Sequence, residues 1–309
     1  MTTRSAPASR RAVRRWGPWA ALLVVWVVWG STYIAIKVGV ESIPPLLMAG
    51  VRYLIAGIIM FPFAVRGGSA EQRAADRPRP AQWLAAAVVG GLLLGVGNGG
   101  VSAAERTLSA GLASLLVATV PLWMIVLDFM VNRVRIRRQA ILGMLAGLAG
   151  VAFLARPSGG SGWGIVVVLV ASFGWALGTI LSHHLPAPQR PLLAAAMQML
   201  TGGAMLVVVA AAVGEFHGFS VGQVSLRSAL AVAYLVGPGS ILALSAYVIA
   251  VRELPTAIVG TYAYVNPAIA VALAATLLGE HVTTSMLIGG ALTIAGVAVV
   301  VRYRPGGGH

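Results

Sequence analysis

The segment ERTLSAGLASLLVATVPLWMIVL (residues 105–127) returns as VRELPTAIVGTYAYVNPAIAVAL (residues 251–273). Sliding the chain by 146 positions puts Arg106 on Arg252, Leu108 on Leu254, Pro121 on Pro267 and Leu127 on Leu273. The register holds without a gap to residues 156 and 302, setting Gly143 on Gly289 and Gly150-Val151-Ala152 on Gly296-Val297-Ala298. Towards the N-terminus the same offset pairs Trp29 with Trp175 and Pro45 with Pro191. The chain therefore reads as two tandem copies, residues 18–156 and 157–302, between a basic tail at 1–17 and a short tail at 303–309.

Each copy is almost entirely apolar. Hydrophobic residues make up 58% of the chain and charged ones 10%, with a mean hydropathy of +0.88. Soluble domains carry about 25% charge, so this chain cannot clothe 309 residues in a water-facing surface. It reads as an all-α integral membrane protein, because a helical span needs roughly 20 apolar residues and stretches of that length recur. Barrel strands would alternate strictly over short segments, and no such pattern is present. Zero cysteines exclude disulfides, thiolate metal sites and cysteine nucleophiles. Arg4, Arg10, Arg11, Arg14 and Arg15 precede the first apolar run as in a secretory signal. That run holds Trp26, Trp29 and Tyr33 and reaches Lys37 without a small-residue cleavage pattern, so it reads as an uncleaved first span.

Ten spans are expected, at 18–37, 45–65, 82–103, 108–130, 139–155, 163–182, 191–213, 228–250, 256–278 and 284–301. With the N-terminus in the cytoplasm, seventeen of the 22 lysines and arginines fall in inner segments. Only Lys37, Arg106, Arg156 and Arg227 fall in outer ones, and Arg52 lies inside a span. This bias places both termini in the cytoplasm and turns the +14 net charge into a topology signal rather than a nucleic-acid footprint. Five spans per copy is an odd number, so the second copy enters the bilayer inverted. Two inverted copies that exchange shapes open a shared cavity alternately to the two sides, which is the architecture of secondary transporters.

Several local words carry a more specific likeness. They are Trp29-Gly30-Ser31-Thr32-Tyr33, Ser42-Ile43-Pro44-Pro45, Gly50-Val51-Arg52-Tyr53 and Val96-Gly97-Asn98-Gly99 in the first half. Thr119-Val120-Pro121-Leu122, Tyr262-Ala263-Tyr264-Val265-Asn266-Pro267 and Gly279-Glu280 follow. In this order, over residues 18–302, the chain resembles the EamA family of the drug/metabolite transporter superfamily, in its YedA-like branch. The resemblance implies ten helices in a bacterial inner (plasma) membrane, cytoplasmic termini and a cavity between the repeats. It also implies export of small metabolites, amino-acid-like or drug-like. Glu280 departs from the repeat, since the offset puts Val134 there, within the basic stretch 133–138.

Charges at membrane depth cost about 2.5–3.5 kcal/mol each on insertion scales, so each needs a reason. Arg52 either faces the cavity and attracts a substrate carboxylate, or is structural, paired with Glu41 or Glu105 or snorkelling to the surface. Its repeat partner is the polar Gln198. Glu105 and Glu253 end the third and eighth spans beside Arg106 and Arg252. Glu105 is either a proton-coupling carboxylate or half of an interfacial ion pair. Asp128, close to Arg133 and Arg135, reads as a further interfacial pair. Substrate contacts are expected from polar and aromatic groups near mid-span: Trp29, Ser31, Thr32, Tyr33, Asn98, Trp175, Thr179, Tyr262, Tyr264 and Asn266. Each has the alternative role of interfacial belt residue or interhelical hydrogen-bond partner. Pro121 and Pro267 each delete a backbone hydrogen bond and make bends that serve as gates or only as packing. Gly143, Gly147, Gly150, Gly289 and Gly296 form small-residue faces for packing within a monomer or for a homodimer.

His183 and His184, adjacent and without acids or cysteines nearby, point to different helix faces and read as cytoplasmic loop residues. No metal or cofactor is expected. The chain has no P-loop motif and no serine–histidine–acid or HExxH set. The expected partners are a small-molecule substrate and the bilayer. The rival readings are a non-transporting scaffold or sensor, and a membrane-embedded enzyme acting on lipids. The former normally carries a sizeable soluble domain, and the latter needs acids or histidines clustered at one depth.

Overall fold

A computed structural model describes residues 8–133, 137–154, 162–254, 256–259 and 261–303. Arg4, Val134, Arg135, Arg156 and Arg304, and the expected boundary between the copies at 156 and 157, lie outside the described residues. All regular structure among the described residues is helical. In chain order the long helices are α1 (Ala8–Gly39), α2 (Pro45–Arg66), α3 (Pro80–Ala104), α4 (Ala110–Val131), α5 (Arg138–Leu154) and α6 (Gly162–Ser182). They continue with α7 (Pro191–Ala212), α8 (Leu226–Ala250), α9 (Tyr262–Leu277) and α10 (Thr284–Arg302). Eight are long and apolar enough to cross a bilayer, while α5 and α9 are shorter apolar helices of 17 and 16 residues.

Local chemistry sets where these helices begin. Pro45, Pro80 and Pro191 occupy first turns, where the missing N–H deletes no bond. Ser109, Ser225 and Thr283 cap α4, α8 and α10, their hydroxyls accepting from the N–H groups of Leu112, Ser228 and Met286 at 3.2, 3.1 and 3.2 Å. Inside α3 and α8 the backbone loosens into π-helical turns at Gly91–Gly99 and Leu235–Leu242. The offset of 146 carries Gly91 to Gly237, so the two loosened stretches overlap in the repeat. Their glycines and Pro238 weaken regular helix there.

The helices pack in a pattern that the same offset exchanges. α2 lies along α7 and α5 along α10; α1 rests on α8 and α9, as α6 rests on α3 and α4. The α5–α10 pair meets backbone to backbone. A Cβ on Gly143 would sit 2.7 Å from the Gly296 carbonyl oxygen, and one on Gly150 would sit 2.6 Å from that of Gly289. These small-residue faces are thus occupied inside one chain. The α2–α7 pair does the same at Gly50 and Gly203, each Cβ position 3.0–3.1 Å from the other's carbonyl oxygen.

Loops and helix ends gather on two faces of the bundle. On one face Glu215 reaches across to α2, its oxygens accepting from the Leu46 and Leu47 N–H groups at 3.3 and 2.8 Å. Glu280 does the same for α4, accepting from Ala110 at 2.8 Å and Gly111 at 3.1 Å. Both glutamates follow a glycine in the left-handed region, Gly214 at φ 82° and Gly279 at φ 65°. That conformation, which favours glycine, ends α7 and α9 and turns the next side chain towards its neighbour. Lys37, ending α1, donates to the carbonyls of Glu105 at 2.5 Å and Leu108 at 2.7 Å on this face.

On the other face Asp76 accepts from the N–H groups of Gln189 and Arg190 at 2.9 and 3.1 Å and from Arg190 Nε at 3.0 Å. The Arg190 guanidinium also binds the carbonyls of Ala64, Val65 and Gly67 at 2.9–3.0 Å, closing the end of α2. The C-terminal end of α6 lies here too, with Ser182 and Leu185 beside Gln82, Pro188 and Ala194. α1 and α6 therefore run in opposite directions.

Burial acts to raise the pKa of Asp76, but the hydrogen bonds from Gln189 and Arg190 outweigh it and hold the carboxyl below its ordinary range. A depressed folded-state pKa contributes fully above the unfolded value, about 3.9. The contribution is lost as pH falls through the folded value. Asp76→Asn is expected to lower the melting temperature of the purified protein at pH 7 by a few degrees, on the order expected for one lost charge-assisted cluster. The gap from wild type should close as the pH drops below about 4. Gly150→Leu is expected to lower the melting temperature further, by breaking the α5–α10 contact, and to leave the mass measured by light scattering unchanged.

Candidate functional site

Eight helices, all except α5 and α10, enclose a cavity of about 460 Å³. That lies within the usual range for small-molecule sites, about 300–1,000 Å³. Of the residues expected from the sequence, Trp29, Thr32, Tyr33, Asn98, Trp175, Thr179, Tyr262 and Asn266 are on its wall, with Arg52, Pro121 and Pro267. Ser31 and Tyr264 are not. The Ser31 hydroxyl donates to the Val28 carbonyl at 2.9 Å and lies 2.5 Å from the Tyr234 hydroxyl. Tyr264 packs against the cluster of Leu122, Ile125 and Val297.

The wall repeats itself under the offset. Trp29 and Trp175, Tyr33 and Thr179, Ile36 and Ser182, Arg52 and Gln198, and Pro121 and Pro267 are five such pairs, and both members of each line the cavity. The same rule finds lining residues that the reading of types alone missed. Asn98 leads to Leu244 and Asn266 to Val120. The signal was available: each expected residue, moved by 146, names a further position to inspect. His183, expected in a surface loop, is exposed but lines the mouth of the cavity.

An aromatic cluster forms one wall. The Trp29 ring lies 5.2 Å from that of Tyr247 and 5.4 Å from that of Tyr262, and the two tyrosines are 5.9 Å apart, edge to face. The Thr32 and Thr179 hydroxyls donate to their own helices, at the Trp29 and Trp175 carbonyls 2.7 and 2.8 Å away. They keep acceptor capacity for the cavity. Asn266 is only 7% exposed and its Oδ1 has no partner. The Ser172 hydroxyl is likewise unpartnered.

Arg52 differs from the structural alternative. It makes no ion pair with Glu41 or Glu105 among the described residues, and Glu41 instead lies 3.9 Å from Arg227. Arg52 is 5% exposed, with Nε donating to Ser240 Oγ at 3.0 Å. Ser240 sits on the π-helical turn of α8 and donates in turn to the Leu235 carbonyl at 2.8 Å. Glu105 also departs from the ion-pair expectation. It is fully buried while Arg106 is exposed, and neither carboxylate oxygen has a hydrogen-bond partner. Glu253, just after α8, is exposed.

Pro121 and Pro267 occupy different local settings. α4 breaks at Ala118 and Thr119, and Pro121 sits in the first turn of the segment Val120–Asn132, where its missing N–H removes nothing. Pro267 lies within α9. The two π-helical turns had no expectation attached to them. Such turns are frequent at functional sites, and here they supply Asn98, Gly239 and Ser240 to the wall.

An apolar helical bundle around a central cavity is the architecture of membrane transporters. The EamA-like transporter family model matches residues 10–156 and again 162–302. The chain belongs to that family, whose members are transporters rather than enzymes. It is 38% identical over 263 residues to the uncharacterized inner membrane transporter YedA of Escherichia coli, covering 84% of this chain and 82% of that one. A probable amino-acid metabolite efflux pump of Salmonella typhimurium is 28% identical over 91% of this chain and 93% of its own. A solved crystal structure superposes with a TM-score of 0.61 at 20% identity, over 91% of this chain and 94% of that one, a likeness of fold alone.

Proposed function

We propose that the protein exports small organic metabolites across the inner (plasma) membrane by alternating access, its two halves acting as inverted five-helix repeats around the central cavity. The observation that carries this reading is the self-mapping of the cavity wall under the 146-residue offset. A site built from equivalent residues of two oppositely directed halves can be presented to either side when the halves exchange shapes. The opposed directions of α1 and α6, the separate family matches to each half and the excess of arginine in alternate loops support it. Metabolite export is the named role of the Salmonella relative.

The conformation fits an inward-open state. The cavity reaches exposed His183 on the face that the arginine bias assigns to the cytoplasm. At the opposite end α1, α3, α4 and α9 are tied together by Lys37 on the Glu105 and Leu108 carbonyls and by Glu280 on Ala110 and Gly111. Opening outward requires α9 to release α4. Glu105 is the proposed proton-coupling group, since a fully buried carboxylate without a partner is stabilised in the bilayer once it takes up a proton.

Reconstituted vesicles loaded with a metabolite panel are expected to show efflux accelerated by an opposing pH gradient. Glu105→Gln should abolish the gradient's effect and spare downhill exchange. Full gradient-driven flux in that variant removes Glu105 from the mechanism, and an inert panel with a properly folded protein removes transport of these compounds. The outer closure is tested separately, because the chain has no native cysteine to interfere. Leu108→Cys, at a position 1% exposed, should be unreactive towards a membrane-impermeant maleimide added outside. Adding Glu280→Ala should raise its labelling rate about tenfold, as loss of one charge-assisted contact of about 1.4 kcal/mol would.

A further inference from the structure

We infer that the central cavity selects an organic anion, a carboxylate carried on an aromatic or apolar body, and that Arg52 makes the selection. This rests on the reading of the cavity as the transported compound's site and goes beyond it by assigning charge. Among the described residues no aspartate or glutamate lines the cavity. The fixed charge within it is the Arg52 guanidinium, and the other basic lining residue, His183, stands at the mouth.

Arg52 is held but not neutralised. Nε donates to Ser240 at 3.0 Å and the guanidinium carbon lies 4.6 Å from the Tyr53 ring centroid, while among the described residues the terminal nitrogens have no protein hydrogen-bond partner. Ser240 is fixed in that role because its own proton goes to the Leu235 carbonyl. Next to it, Gly239 keeps the approach clear: a Cβ there would lie 3.2 Å from Thr32 Cγ2 and 3.6 Å from Arg52 Nη2. Glu105 attracts Arg52 electrostatically but makes no ion pair with it, and a planar guanidinium with its two terminal nitrogens available matches a carboxylate in fork geometry. The buried carboxylate of Glu105 is not on the lining, so it does not occupy that position.

The rest of the wall describes the remainder of the ligand. The rings of Trp29, Tyr247 and Tyr262 offer an apolar, aromatic surface. Asn266 Oδ1, buried and unpartnered, awaits one N–H or O–H donor. The repeat position of Arg52 is neutral Gln198, which also lines the cavity. Charge recognition therefore belongs to one half, and the ligand enters in one orientation. A cation meets Arg52 with nothing to offset the repulsion, and the ammonium of a free amino acid finds no carboxylate.

The test uses the purified full chain in a non-ionic detergent with three probes of one size and different charge: phenylacetate, phenylacetamide and phenethylamine. Calorimetric titration is expected to give phenylacetate an affinity about tenfold or more above the amide, with the amine weakest. Arg52→Gln should erase the preference for acid over amide, and Arg52→Lys should keep it in reduced form. The inference is overturned if the amine or amide binds as tightly as the acid to the wild type, or if no aryl carboxylate binds at millimolar concentration. An Arg52→Gln variant that melts like wild type and keeps the preference also overturns it. The outcome is separable from the transport reading: vesicles that carry amines and not acids leave export standing and remove the anion site. Acids that bind without flux do the reverse.

Discussion

In hydrocarbon every backbone N–H and C=O must find its partner inside the protein, and the weak points are helix ends, each of which leaves four groups unpaired. This chain meets that constraint with few charges. Three of its eight acids, Asp76, Glu215 and Glu280, spend their oxygens on N–H groups at or just before the start of another helix. The partners lie more than a hundred residues away in sequence. Glu215, after α7, closes the start of α2, while Asp76, after α2, closes the approach to α7. The α2–α7 pair is therefore clasped at both ends by reciprocal acids, and its middle is set by the mutual approach of Gly50 and Gly203. Like the α5–α10 pair, it joins one half of the chain to the other.

The dipeptide Gly-Glu appears at both 214–215 and 279–280, and its two uses differ in consequence. At Glu215 the clasp sits on a pair already locked by backbone contact. At Glu280 it joins α9 to α4, both of which line the cavity and both of which are irregular. In the proposed cycle this capping bond between two cavity helices serves as a latch, made here and released when the outer side opens. The offset puts Val134 where Glu280 stands, so the two halves are not latched by the same chemistry. The exchange of shapes we propose thus rests on equivalent folds in the two halves and not on equivalent ion chemistry at both mouths.

Much of this was legible in the sequence because it depends on composition and period. The 146-residue repeat, the apolar spans and the ring of Trp29, Trp175, Asn98 and Asn266 follow from residue type and register alone. The features that escaped depend on three-dimensional partners. Glu105 stands beside Arg106, and adjacency in sequence implied an ion pair, yet the chain turn at the end of α3 buries one and exposes the other. The π-helical turns at Gly91–Gly99 and Leu235–Leu242 leave no periodic signal, because the glycines that permit them are also what close helix packing demands. Ser31 and Tyr264 were read as cavity residues from neighbours that are, but successive helical residues face different ways, and theirs face helix interfaces.

The symmetry of the wall and the asymmetry of its charge have a joint consequence. Equivalent positions of the two halves line one cavity, so in the cycle we propose a substrate meets equivalent backbone whichever side is open. Arg52 and Gln198 hold equivalent repeat positions with different charge, so in the proposed cycle the substrate's polar end is read by the first half in both states. The aromatic wall of Trp29, Tyr247 and Tyr262 joins α1 to α8 and α9, whereas Trp175 lines the cavity from α6. One half then supplies the anchor and the interface between halves supplies the hydrophobic face. In the alternating-access cycle we propose, the anchor keeps its grip while the face rearranges, and a ligand held by one strong contact and several weak ones is passed across without being released midway.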